Sequence, residues 1–207
     1  MVRSTKATHC NKLMDETRKV CIVIFDEVEV LDFCGPFEVF SVTGGRAGLQ
    51  PFEVFTVAEE SRPITARGGL SVNPSYSFAS CPRPDILLVP GGFGTRREIK
   101  NAKMLEWLRK RSSEAELVLS VCSGSLLLGK AGLLDGLTAT THYAALDELR
   151  NISSSISIDS SRRFIDNGHM IVSAGISAGI DMSLYVVARL LGDEQAIETA
   201  RYMEYRW

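Results

Sequence analysis

The residue best placed to do chemistry in this sequence is Cys122, in Ser120-Val121-Cys122-Ser123-Gly124. An apolar run over residues 117–121 leads into it, and residues 123–131 have the composition of an apolar helix. A strand that turns into a helix at a cysteine with small neighbours matches a nucleophile elbow. There a sharp turn lifts the side chain above a sheet, and neighbouring backbone passes close by. The helix start adds about half a positive charge beside the sulfur, which favours thiolate. A free cysteine is also a common small core residue. The position between strand and helix weights the nucleophilic reading.

Other groups are candidates to serve that sulfur. Gly91-Gly92 follows the apolar segment 85–90, where a double glycine lets backbone N–H groups point into a crevice. With the N–H of Ser123 they would form a water-binding site of oxyanion-hole type; a plain tight turn is the alternative. Asp32 is a carboxylate in the otherwise apolar Val30-Leu31-Asp32-Phe33-Cys34-Gly35-Pro36. By residue type alone it reads as the N-cap of a helix over 33–42. Glu27, Glu29 and Glu38 compete with it, Glu38 as a solvated position on the helix. His142 follows Cys122 by twenty residues, after a short strand, and a Cys–His pair is a common way to activate a thiol. A histidine bonded to backbone at a helix start is the alternative. His9 and His169 have no partners in view, so neither a metal site nor a cofactor is expected. Gly124-Ser-Leu-Leu-Leu-Gly129-Lys130 matches the phosphate-loop pattern, but Ala131 stands where a magnesium-binding Ser or Thr is needed. Nucleotide binding is rejected.

These residues need a scaffold, and the chain has the composition for one. It has 207 residues, 45% hydrophobic and 23% charged, as in ordinary globular domains. Lys and Arg number 23 against 25 Asp and Glu, which leaves no basic footprint for nucleic acid. No apolar run reaches the ~20 residues of a membrane span. Residues 1–19 are polar, lack the apolar segment of a secretory leader, and read as a flexible tail before a single domain over 20–207. Five cysteines without paired spacing point to a reducing, cytoplasmic setting.

A continuous apolar run at 21–25 and largely apolar segments at 52–58, 85–90 and 117–121 read as buried strands. Phe33, Phe37 and Phe40 fall on one face of the helix between the first two, and residues 98–112 form an amphipathic helix. Residues 138–141 read as a short strand and 153–161 as a loop with an edge strand. Arg67-Gly68-Gly69 and Asp166-Asn167-Gly168 mark small hairpins, residues 176–191 a long buried helix, and Asp193 caps a final one. The alternation predicts an α/β sandwich of three layers, with a mainly parallel sheet, helices on both faces and small antiparallel hairpins. Ligands of such sheets bind beyond the carboxyl ends of the strands. Loops 26–36, 91–96 and 122–124 lie there.

The combination resembles the ThiJ/PfpI superfamily, related to class I glutamine amidotransferases. The matching pieces are Leu31-Asp32 with Gly35-Pro36, Leu88-Val-Pro-Gly-Gly92, Val121-Cys-Ser-Gly-Ser-Leu-Leu-Leu-Gly129, Ala139-Thr-Thr-His142 and Ala174-Gly-Ile-Ser-Ala-Gly-Ile-Asp181. Within it, the chain looks most like the isonitrile hydratase subgroup, whose core also forms the sensor half of AraC-type regulators. The resemblance implies a flavodoxin-like fold, a homodimer, a small-molecule substrate and Asp32 as a carboxylate beside the sulfur. It also puts Ile176 and Ser177 in the pocket and His142 behind the reacting groups. Ser123 replaces the histidine that PfpI-type hydrolases carry after the cysteine, which disfavours proteolysis. The regulators' DNA-binding segment and the hydratases' C-terminal extension are both expected to be missing.

The expected activity is hydration of an isonitrile, or a similar small electrophile, to an N-substituted formamide. Cys122 and Asp32 are the catalytic residues, and Gly91, Gly92 and Ser123 bind water or developing charge. A ligand or redox sensor of the same fold, and a glyoxalase- or deglycase-type enzyme, are the alternatives.

Overall fold

The structure, a computed structural model, describes residues 17–207. The expected tail over 1–19 therefore falls almost wholly outside the described residues, and its last two belong to a strand. β1 (Arg18–Val23), β2 (Phe52–Ala58), β6 (Ile86–Val89) and β7 (Leu117–Ser120) are the strands read from the apolar runs. The last four residues of β1, and all of β6 and β7, are buried. That is the pattern of parallel strands covered on both faces.

The main sheet has seven strands in the order β10-β11-β7-β6-β1-β2-β5, with β5 at Tyr76–Ser77, β10 at Phe164–Asp166 and β11 at Met170–Ser173. Every pairing in it is parallel except β10 with β11. The antiparallel hairpin of β3 (Ile64–Thr65) and β4 (Ser71–Val72) stands apart, as expected around Arg67-Gly68-Gly69. β8 (Thr138–Ala139) pairs with β9 (Ser157–Ile158) in parallel, outside the main sheet.

On one face lie α1 (Val30–Val42), α6 (Ala178–Leu191) and α7 (Asp193–Tyr202); on the other lie α3 (Ala102–Glu114), α4 (Gly124–Lys130) and α5 (Leu146–Ile152). The fold is flavodoxin-like. The sequence expectations miss in places, each for a tertiary or local reason. Phe33 and Phe40 are buried, but Phe37 is exposed. The helix expected over 98–112 is broken into α2 (Thr95–Glu98) and α3, because the Asn101 side chain accepts from the N–H groups of Lys103 and Met104 and starts a new helix. Asp193 is the first residue of α7 rather than its cap; Gly192 holds the cap position.

The strand order positions the site. β1, β6 and β7 are neighbours, so the loops that follow them emerge side by side at the carboxyl edge. The first two are tied together by a bridge between Val28 and Gly92 and by the Glu29 N–H donating to the Gly91 carbonyl at 3.0 Å. Backbone also crosses very close to α4. A Cβ on Gly124 would stand 2.1 Å from the Val89 carbonyl oxygen, which cannot retreat without breaking the sheet. Gly124→Ala is expected to destabilise the protein by at least ~3 kcal/mol in urea denaturation. Gly45→Ala, with open space around it, should leave the midpoint unchanged.

Candidate active site

Cys122 sits between β7 and α4 with φ +57°, a left-handed backbone that non-glycine residues seldom adopt. Bonds from several sides hold it there. Its N–H is shared between the carbonyls of Ser173 and Ala174, at 3.2 and 3.1 Å. Its carbonyl accepts from the Thr141 hydroxyl at 2.8 Å and the Ser125 hydroxyl at 3.1 Å. The side chain is 6% exposed. Cys122 thus stands at a left-handed turn between strand and helix.

Asp32 lies in the first turn of α1 and is fully buried. It is not an N-cap: Glu29 holds that position and makes no side-chain bond. Instead Oδ2 accepts the Gly91 N–H at 3.0 Å, across the crevice. Oδ1 is buried with no hydrogen-bond partner, and the Cys122 thiol is the neighbouring side chain that acts on the carboxyl. Sequence distance gives no hint of this pairing; the adjacency of β1, β6 and β7 creates it.

The double glycine does a different job from the one expected. The Gly91 N–H is committed to Asp32, and the Gly92 N–H donates to Ser123 Oγ at 3.0 Å. Neither is free to hold an oxyanion. What glycine supplies at 91 is room, since a Cβ there would meet Ser123 N at 2.6 Å and Asp32 Oδ2 at 2.9 Å. Ser123 Oγ donates in turn to the Gly92 carbonyl at 3.2 Å, and Ser123, next to Cys122, favours the ionised sulfur. Thr95, which residue pattern alone did not single out, is fully buried and donates to the Gly92 carbonyl at 2.8 Å, with Ser123 Oγ at 3.3 Å. Thr141 was likewise missed as an individual residue, though it stands in the quoted Ala139-Thr-Thr-His142 segment.

His142 takes its alternative reading. Its Nδ1 accepts the Ala144 N–H at 3.2 Å, capping a turn, and its ring lies 4.4 Å from that of Tyr143. Among the described residues it makes no hydrogen bond to Cys122 or Asp32. It does line a cavity of about 370 Å³ together with Leu31, Thr141, Ala174, Ile176 and Ser177. This space adjoins the pair through Leu31, next to Asp32, and through Thr141 and Ala174, both bonded to Cys122 backbone. A larger cavity of about 840 Å³ is walled by charged side chains, among them Asp26, Arg62, Arg97 and Glu98, and touches neither Asp32 nor Cys122. The smaller cavity has neither residue in its lining either, but its Thr141 and Ala174 both bond the Cys122 backbone. Glu27 faces Arg67 at 3.5 Å and Glu38 is exposed, so neither competes with Asp32. Among the described residues no three His, Cys, Asp or Glu side chains converge as metal ligands.

Burial pushes the Asp32 carboxyl up to about 7, against the bonds from Gly91 and Cys122, and the charge of Glu29 adds to the rise. Burial likewise pushes the Cys122 thiol up to about 12, and the Asp32 charge adds to that, with Ser123 acting the other way. The thiolate expected from the helix start is therefore outweighed. α4 has only seven residues, and its half-charge does not offset desolvation plus a carboxylate alongside. The two groups titrate as a pair: two protons below pH 7, one above it.

Three adjacent loops at the edge of a doubly wound sheet, with a buried cysteine–carboxylate pair between them, define a class of α/β proteins. Residues 18–189 match the model of the DJ-1/PfpI family, and the chain belongs to that family. It is 34% identical over 187 residues to isonitrile hydratase of Pseudomonas putida, covering 90% of this chain and 78% of that protein. It is 30% identical over 172 residues to the HTH-type transcriptional regulator CdhR of Pseudomonas aeruginosa, spanning about half of it (51%) and 78% of this chain. Among solved structures, a ThiJ/PfpI family protein from Pseudomonas syringae superposes with a TM-score of 0.84 at 30% identity, covering 100% of this chain and 82% of that one. Drosophila melanogaster DJ-1beta superposes at 0.80 with 19% identity over 93% of this chain and 100% of its own, a likeness of fold.

The raised carboxyl gives a stability test. A folded-state pKa above the unfolded value of ~3.9 means that stability is fully present below that value and is lost as pH rises through about 7. Asp32→Asn should therefore unfold at the same urea concentration as the parent near pH 4. It should exceed the parent by up to ~4 kcal/mol at pH 8. The same substitution removes the charge that holds Cys122 as a thiol, so iodoacetamide should alkylate Cys122 several-fold faster at pH 8.5 in the variant than in the parent.

Proposed function

We propose that the protein hydrates an isonitrile, or a closely similar small electrophile, to an N-substituted formamide. The observation that carries this reading is the Cys122 thiol beside a fully buried Asp32 carboxyl with one oxygen unpartnered. In the one-proton state the Asp32 carboxylate takes the Cys122 proton as sulfur bonds to the terminal isonitrile carbon. The protonated Asp32 then returns that proton to the same carbon, giving a thioimidate. Water, activated by the carboxylate, adds to the carbon; the C–S bond breaks and the formamide leaves with the thiol restored. Ser123 N–H and Oγ steady the charged sulfur. The walls of Leu31, Tyr143, Leu146 and Ile176 suit an apolar N-substituent.

Support comes also from the 34% identity to isonitrile hydratase. The reading includes a cytoplasmic homodimer and a small-molecule substrate; size-exclusion chromatography with light scattering checks the dimer. A ligand-sensing role is the second reading, favoured by the thiol held near 12 and by similarity to the regulators.

The test is incubation with cyclohexyl isocyanide and detection of N-cyclohexylformamide. Turnover is expected, with kcat/KM rising as pH passes upward through about 7 as the pair loses its first proton. Cys122→Ala and Asp32→Asn should each lower the rate at least ~100-fold. No formamide from folded protein across pH 6–9, with saturable isonitrile binding retained, would replace this reading with the sensor.

A further inference from the structure

Cys21 and Cys81 are far apart in sequence and meet in the fold. Cys21 is a fully buried residue of β1; Cys81 is 6% exposed and lies in the loop between β5 and β6. Their sulfurs are 3.7 Å apart, in contact but not bonded. The pair takes no part in the Cys122 site. Exposed residues flank Cys81, with Ala79 and Ser80 before it and Arg83 after, so a small opening of this loop brings it to water.

A cation accompanies the sulfurs. Arg111 donates from Nη2 to the Cys81 carbonyl at 2.9 Å and from Nη1 to Glu114 at 2.8 Å, while its Nε is buried with no partner. Contact with Cys21 is the larger influence and Arg111 a further one, and together they hold the Cys81 thiol below the ordinary cysteine range against burial and Glu114; Cys81 Sγ itself donates to the Pro82 carbonyl at 3.2 Å. Burial pushes Cys21 well above that range. Cys81, the shallower sulfur with Arg111 on its carbonyl, is the one placed to lose its proton, and fully buried Cys21 the one to keep it. That division of labour belongs to an attacking thiol and a resolving thiol.

We propose that Cys21 and Cys81 are a redox-active pair that closes to an intramolecular disulfide under hydroperoxides. Cys81 thiolate attacks one peroxide oxygen: an S–O bond forms, the O–O bond breaks, and the departing alkoxide or hydroxide leaves as alcohol or water after taking a proton from solvent. Cys21 then attacks Cys81 Sγ; the S–S bond forms, the S–O bond breaks, and the released hydroxide takes the Cys21 proton to leave as water. The two sulfurs lose two electrons in all, and the peroxide gains them. A dithiol reverses the bond. The link ties the β5–β6 loop to the centre of the sheet, closing a segment of 60 residues.

The test uses the full chain and hydrogen peroxide, at a dose that fully oxidises glutathione in a parallel sample. Remaining thiols are blocked with N-ethylmaleimide under denaturing conditions, and unreduced peptides are mapped by mass spectrometry. The expected product is one linked peptide pair containing Cys21 and Cys81, lighter than the two thiols by two hydrogens and lost on dithiothreitol treatment. It should form equally in Cys122→Ala, and the melting midpoint should rise by at least ~5 °C on oxidation. In Cys21→Ala, Cys81 should run on to sulfinic acid. Both thiols still fully blocked by maleimide, Cys81 joined to another cysteine, or Cys81 overoxidised in the parent with Cys21 free would each overturn the proposal.

Discussion

A carboxyl and a thiol withdrawn together from water do not both ionise at neutral pH, and the arrangement around Cys122 follows from that constraint. Desolvation raises both groups, and the Asp32 charge raises the Cys122 thiol further, while Cys122 acts the other way on Asp32. The pair therefore carries one proton between about pH 7 and about pH 12, and that proton can pass between sulfur and oxygen without leaving the site. Unpartnered Oδ1 is the acceptor that such a transfer needs. A site built for a permanently ionised nucleophile would surround the sulfur with cations; among the described residues no Lys or Arg figures in what acts on its thiol.

Holding two such groups together takes a rigid frame, and backbone supplies most of it. Gly91 binds one carboxyl oxygen through its N–H and leaves space for Ser123, while Gly124 lets α4 start against the carbonyl end of β6. Cys122 keeps a left-handed backbone of the kind that costs of order 1–3 kcal/mol when not over-determined. Here four hydrogen bonds fix it, from β11 and the segment after it, from the Thr141 loop and from α4. The interaction of Thr95 with both Gly92 and Ser123 binds the second loop to the third. Chemistry at one sulfur depends on segments scattered from residue 28 to residue 174.

Much of the scaffold was legible before any coordinates. The four central strands announce themselves as mostly apolar runs because both faces are largely covered, and the Asp166-Asn167-Gly168 turn and the strand-to-helix break at Cys122 are local geometry written in local composition. Legibility failed where a neighbour in space made the decision. Phe37 shares a spacing with Phe33 and Phe40 but looks outward, since helical periodicity names a face and not how wide a strip of it the core covers. Asp32 has the composition of a cap, yet its oxygen bonds a glycine 59 positions away. Gly91 and Gly92 advertise available N–H groups that the fold then fills with Asp32 and Ser123.

Residue order alone determined that this chain forms a covered parallel sheet and that a cysteine stands at a forced bend, because those properties depend on nearest neighbours and on hydrophobic periodicity. Asp32 as that cysteine's companion, the protonation of the two at neutral pH, and the meeting of Cys21 with Cys81 were decided only in three dimensions. Strand order sets which loops touch, burial sets the electrostatics, and neither quantity is local in sequence.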